Sequence, residues 1–427
     1  MLSRRLFLRN SLAGTGALMA VASTLATKMA MAQDAVTQAI DPALSGDDFW
    51  QQVRSQFVFS DRIIPMNAAN LCPSFRPVAE QVAQLTADID QDCSFNNRAK
   101  FSGLLEETRA RIAAQLNVSA DEVALVRNTS EANSVINNGL DLGAGDEVIV
   151  WDENHPTNYV AWDVRAARYG FSVVKVPTPS PLTSAAQLLQ AFTSQFTDRT
   201  RVLALTHVSN VSGIKLPLAD LVRAAHARGI YVHVDGAQTW GAMALDLKAL
   251  DVDSFTASAH KWYMGPKEVG LLYVKSEHIS RIWPGVVASG WGNGPETRQT
   301  GARKFESLGQ RDDAALAALG LTASIHDRIG PARIEQRIVD LSQTLKQGLH
   351  QAGIKLVTPM DPALSFGVVI AEVPAGQGGE LANRLYDEYG IAGSSSGGLR
   401  LCPAIYNTPA HIERAIAAVT ALLKNQV

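Results

Sequence analysis

A rhythm limits what this chain can fold into. Seven short β-branched or aliphatic runs, at residues 122–126, 147–151, 172–176, 201–205, 230–234, 254–257 and 269–274, alternate with stretches of helical period, among them 104–115, 159–169, 185–196 and 218–228. Strands that alternate with helices give an α/β fold, a largely parallel sheet covered by helices on both faces. The near-continuous apolar runs Arg-Val-Leu-Ala-Leu (201–205) and Ile-Tyr-Val-His-Val (230–234) suit strands buried on both sides. From about residue 300 the rhythm changes to long helices at 312–327 and 331–351, a strand at 366–371 and a last helix at 409–424, which predicts a smaller α+β domain.

Composition narrows the function classes. With 46% hydrophobic and 19% charged residues, the 427-residue chain is too apolar for bulk disorder and long enough for one large and one small domain. A formal charge of −3 supplies no basic field to hold nucleic acid. Cys72, Cys93 and Cys402 form no CxxC pair and no metal-like cluster with histidines, so a disulfide framework and a metal site both lack support, although a single Cys72–Cys93 bridge stays open. The N-terminus reads as an address: Arg4 and Arg5 followed by Phe7 and Leu8, a diluted apolar stretch at 11–27, and a small-residue site at Ala30–Met31–Ala32. This predicts a twin-arginine signal cut after Ala32, recognised by the Tat machinery, with a folded periplasmic product and no stable membrane anchor. The expected organisation is a signal at 1–32, an N-terminal segment at 33–65, a large domain at 66–300 and a small domain at 301–427.

Polar clusters follow successive strands. Lys261 leaves a buried strand beside Ser258 and His260, with Gly265 allowing a tight turn; a lysine entering a concave site loses hydration, deprotonates more easily and can form a Schiff base. Asp235 ends the strand before it, followed by Gly-Ala-Gln238, at the carboxyl edge where open α/β sheets bind ligands. Thr129 and Ser130 stand just before a helix expected to start near Ala132, whose free N–H groups suit a phosphate, although capping alone would explain them. His155 and the Asn210 loop, Thr-His-Val-Ser-Asn-Val-Ser-Gly, follow two more strands.

The order Asn-Thr-Ser-Glu-Ala (128–132), Glu-Asn-His-Pro-Thr-Asn-Tyr (153–159), Thr-His-Val-Ser-Asn-Val-Ser-Gly (206–213), Val-His-Val-Asp-Gly-Ala-Gln (232–238) and Ser-Ala-His-Lys-Trp (258–262) resembles the class V aminotransferase family of fold type I pyridoxal-phosphate (PLP) enzymes, over about residues 60–425. The resemblance implies a large domain with a mostly parallel seven-stranded sheet, a small C-terminal domain, and a C2 homodimer. It implies that Lys261 carries PLP, Asp235 pairs with the pyridine nitrogen, Gln238 meets the phenolic oxygen and His155 stacks on the ring. Thr129, Ser258 and His260 would hold the phosphate with Ser130 nearby, and Asn210 would sit near the phenolic oxygen or the substrate carboxylate. Arg400, in Leu-Arg-Leu-Cys-Pro, matches an arginine of the family's C-terminal motif that grips a substrate carboxylate, although a structural ion pair would explain it nearly as well.

Two departures narrow the reaction. Residues 390–398 lack the nucleophilic cysteine and the arginine that cysteine desulfurases carry there, and Cys402 suits a packed thiol. Gln310 stands where the loop that reaches the partner subunit's phosphate usually has a hydroxyl. Export signal, length and motifs together are similar to the periplasmic members of the family that mature the siderophore pyoverdine. That likeness implies conversion of the glutamate side group of a pyoverdine precursor to succinamide by oxidative decarboxylation. The same constellation would serve an aminotransferase or epimerase on a free amino acid, or a PLP-binding sensor without turnover.

Overall fold

The computed structural model describes residues 39–60, 62–288 and 301–424; the expected export signal at 1–32, with its expected cut after Ala32, lies outside them. A two-residue strand, β1 (Ile64–Pro65), precedes the seven that build the main sheet. These are β2 (Val123–Val126), β3 (Glu147–Trp151), β4 (Ser172–Val176), β5 (Thr200–Thr206), β6 (Tyr231–Asp235), β7 (Ser254–Ser258) and β8 (Gly270–Val274), arranged β2-β8-β7-β6-β5-β3-β4. β8 runs antiparallel to both of its neighbours, and the other pairings are parallel.

Period-two alternation explains why the sheet is buried twice. On β5, Leu203 and Leu205 enter one apolar cluster with Val232, Val234 and Phe255, while Val202 and Ala204 enter another with Val148, Val150 and Leu272. The edge strand β2 is closed by side chains: Arg109 donates to the Val123 carbonyl, Glu306 accepts from the Leu125 N–H, and Arg311 donates to the Leu125 carbonyl. A capped edge offers no template to a foreign strand.

Because β2, β3, β5, β6 and β7 run the same way, their carboxyl ends share one edge of the sheet. The segments that follow them carry Thr129, His155, Asn210, Asp235 and Lys261, so topology alone gathers the five polar clusters.

The C-terminal part contains β9 (Val369–Ala371), paired antiparallel with β11 (Leu399–Leu401), and β10 (Ile391–Ala392), paired parallel with β1. Ile64 and Met66 lie in the same apolar cluster as Leu345, Leu385, Leu401 and Val419, so the N-terminal segment is built into this core. Helix Asp313–Ile329 packs on helices Lys100–Gln115 and Arg76–Gln91, and contributes Leu316 and Leu319 to the core of the main sheet.

Differences from the sequence reading have local causes. The strand expected at 366–371 starts only at Val369, because Gly367 takes φ +63° and the Val368 N–H folds back onto the Phe366 carbonyl. Helices Gly46–Arg54, Arg76–Gln91 and Gly378–Tyr389 went unread. The Cys72–Cys93 bridge left open by the sequence is not formed: Cys72 is buried against the Tyr406 hydroxyl and Cys93 is exposed, both as free thiols. No helix among the described residues is long and apolar enough to cross a membrane.

Candidate active site

β6 delivers Asp235 to the carboxyl edge almost fully buried, at 1% exposure. One carboxylate oxygen accepts from the Ala237 N–H at 3.0 Å and the other from the Asn133 amide at 2.9 Å. The same amide group donates to the Thr157 hydroxyl at 3.1 Å, and that hydroxyl lies 3.0 Å from His155 Nδ1. Asn154 staples this loop to the sheet, accepting from the Thr206 N–H and donating to the Ala204 carbonyl, which fixes where His155 stands. Burial pushes the His155 imidazole down, with the Asp235 charge opposing and the Lys261 charge adding to the shift.

Lys261 lies on a turn that leaves β7. The Gly265 N–H closes the turn onto the Ala259 carbonyl at 2.8 Å, but the left-handed residue is Met264, at φ +54°. Gly265 is needed for close approach instead, since a Cβ there would sit 2.9 Å from Ala259 Cβ. Burial lowers the Lys261 ammonium below the ordinary lysine value; the Asp235 charge works against this and the Arg400 charge with it. His260 beside it is pushed down to about 4, first by burial and then by Lys261 and Lys267.

The helix Thr129–Gly139 begins at the same edge, with Asn128 capping it through the Glu131 N–H. The Thr129 N–H donates to Ser258 Oγ at 2.7 Å, and the two hydroxyls are also 2.7 Å apart. Close approach is built in: a Cβ on Gly270 would lie 3.0 Å from Asn128 Cα. Ser130 is exposed and lines a pocket of about 430 Å3 with Arg127, Ser134 and Leu308.

Gln238 is held at both ends, donating to the Ala69 carbonyl at 3.1 Å and accepting from Trp262 Nε1 at 2.8 Å, which leaves one amide hydrogen uncommitted. Ser209 Oγ takes the N–H groups of Val211 and Ser212 at 3.1 Å each, and the Ser209–Gly213 turn this makes presents the Asn210 carbonyl to Arg400 at 2.8 Å. Arg400 is 3% exposed, donates its other terminal nitrogen to Asn67 Oδ1 at 3.0 Å, and has no partner for Nε. Among the described residues no carboxylate pairs with it.

Residues 82–415 match the family Aminotransferase class-V. The chain belongs to that family. It is 26% identical over 390 residues to isopenicillin N epimerase of Streptomyces clavuligerus, covering 87% of this chain and 98% of that protein. To the cysteine desulfurase of Salmonella dublin it is 30% identical over 348 residues, covering 74% and 82%. A solved structure of C-DES with glycine covalently linked to its PLP cofactor superposes with a TM-score of 0.78 at 23% identity, covering 86% and 98%. This class-V protein is therefore a PLP-dependent enzyme of the α/β fold expected from its sequence.

The donor set fits the cofactor: a buried carboxylate, an amine of lowered proton affinity, an imidazole between them, and a helix N-terminus with hydroxyls. It does not fit the sulfur chemistry of the desulfurase relatives. Cys402 is fully buried with its thiol pushed up by burial, and residues 393–398 contain no thiol. Sequence reasoning assigned no role to Asn133, Thr157, His233, Thr256 or Asn67; Thr157 and His233 lie inside motifs it read, and the other three carry no signal of their own. On the opposite edge, Asp253, Glu277 and His278 come within metal-ligand spacing, but Asp253 is already taken by His226, His278 and the Val232 N–H.

Proposed function

We propose that this enzyme acts on a substrate with free α-amine and α-carboxylate groups, and that the substrate is the glutamate side group of a pyoverdine precursor, converted to succinamide. The observation that carries the reading is Arg400: a buried guanidinium held by two neutral oxygens, with Nε unpaired and, among the described residues, no carboxylate in an ion pair with it. A buried cation left this way is a receptor for an anion.

PLP, when bound, stabilises the electron pair released at the substrate's α-carbon. Lys261 would hold the cofactor and would move a proton at that carbon, a task suited to an amine whose proton affinity burial has lowered. Asp235 would pair with the pyridine nitrogen, His155 would lie against the ring, and the uncommitted Gln238 hydrogen would meet the phenolic oxygen. Thr129, Ser258 and His260 would hold the phosphate, with Ser130 nearby. Asn210 and Arg400 orient the carboxylate.

The overall reaction consumes one dioxygen: the α-carboxylate leaves as carbon dioxide, one oxygen atom becomes the amide oxygen, the other leaves as water, and the nitrogen stays. Mass spectrometry of a pyoverdine precursor incubated with the enzyme tests this. The expected product, formed only in air, is lighter by one carbon, two hydrogens and one oxygen; an unchanged glutamyl group in air overturns the assignment. The relationship to isopenicillin N epimerase favours a second reading, epimerisation or transamination of a free amino acid, for which inverted configuration or a keto acid is the signature.

Twin-arginine export to the periplasm and a C2 homodimer belong to the same proposal, supported by Arg4 and Arg5 and by the family. Replacing both arginines by lysine should leave the enzyme in the cytoplasm, and a monomeric mass at micromolar concentration would contradict the dimer.

A further inference from the structure

Asn133 lies inside a helix and was not singled out by the sequence, yet it is fully buried and uses every hydrogen-bonding position it has. Its amide hydrogens go to Asp235 and Thr157, at 2.9 and 3.1 Å; its oxygen accepts from Thr256 at 2.6 Å and from His233 Nε2 at 3.1 Å. An ionised carboxylate only accepts, so Asp235 fixes which way the amide points. The remaining protons follow. The Thr157 backbone N–H points at His155 Nδ1 at 3.4 Å, which makes that nitrogen the acceptor; Thr157 Oγ1, which accepts from Asn133, then gives its own proton to Nδ1, and the His155 proton sits on Nε2. On the other branch His233 donates through Nε2, so Nδ1 accepts from the Ser254 hydroxyl at 2.8 Å.

The geometry points to Asn133 as a positioning residue that sets two cofactor-facing groups at once: the acceptor state of the Asp235 carboxylate and the tautomer of His155. The inference rests on the PLP roles proposed for those two residues. Turning the Asn133 amide over would require the Thr157, Thr256 and Ser254 hydroxyls to turn and His233 to change tautomer, four coupled changes around a fully buried amide. His233 is pushed down to about 3 by burial, so the chain is neutral and adds no charge of its own behind Asp235.

The test uses the PLP-loaded enzyme and follows the visible absorbance of the bound cofactor across pH. Asn133→Leu should move the titration midpoint by about one pH unit, a tenfold change in proton affinity, and speed loss of PLP on dialysis. Thr157→Val, which removes only the His155 branch, should move the midpoint less and leave PLP retention unchanged, while Thr157→Ser should titrate as the parent enzyme. A structural role alone would lower stability without moving the midpoint. The inference falls if either Asn133→Leu or Thr157→Val titrates as the parent does; if Asn133→Leu does not fold, the Thr157 pair decides. A parent enzyme that shows no visible band after loading would defeat the underlying roles instead.

Discussion

Behind Asp235 the side chains of Asn133, His233 and Thr256 all meet partners within 3.1 Å and none is exposed to solvent, whereas at Arg400 the guanidinium keeps an unpaired Nε and the backbone pairs with Ser394 of the partly exposed loop of residues 393–398. Both ends of the site are polar, so composition does not separate them. What separates them is completeness. A closed network is fixed before any ligand arrives and suits a group that stays; a donor left open gains a partner only when a transient ligand supplies one.

Lys261→Ala, at the boundary of the two ends, should have the largest effect, lowering turnover by about a hundredfold to ten-thousandfold, as loss of a positioned acid–base group does. Absorbance and turnover measured together check it, and a cofactor band that survives unchanged would remove Lys261 from its assigned place.

The closed end should be the acid-sensitive one. His233 titrates at about 3 when folded against 6.5 in the free side chain, so the unfolded chain takes up a proton that the folded chain refuses. Its contribution is complete above 6.5 and is lost as pH falls towards 3, at about 1.4 kcal/mol per pH unit within that window. Denaturant unfolding of His233→Gln should show a shallower loss between neutral and acid pH than the parent; an identical slope would mean that the closed network does not couple to stability.

At the open end, Arg400→Lys should lower kcat/KM by about tenfold to a hundredfold, the value of a charge-assisted pair worth about 1.5–3 kcal/mol, with PLP retention unchanged. Loss of PLP from this variant would show that the two ends are not independent. Asn67→Ala, which removes one neutral acceptor from Arg400, should raise KM about fivefold, corresponding to about 1 kcal/mol, and leave kcat near the parent value.

The architecture was legible because parallel strands buried on both faces announce themselves: residues 147–151 and 172–176 match β3 and β4 throughout, and the other strands of the main sheet differ by one residue at one or both ends. Helix Arg76–Gln91 was not legible, since its buried positions, Val78, Gln81 and Leu85, include a polar residue and it begins at Arg76–Pro77 without a side-chain cap. Site residues at strand ends could be read because topology places them together. Asn133 could not, because a polar residue in a helix is ordinary until its partners on β6, β7 and the His155 loop are known. Asn67 was hidden by distance along the chain, 333 residues from Arg400.

Residues 67–72 thread across both ends: Asn67 holds Arg400, the Ala69 carbonyl holds Gln238, and the Cys72 N–H bonds to the His260 carbonyl at 2.8 Å. A hinge that swung the C-terminal part away from the sheet would have to tear this strand of chain from one side or the other, at about 1 kcal/mol for each hydrogen bond broken. Ligand exchange is therefore cheaper through movement of a surface loop than through rotation of whole domains.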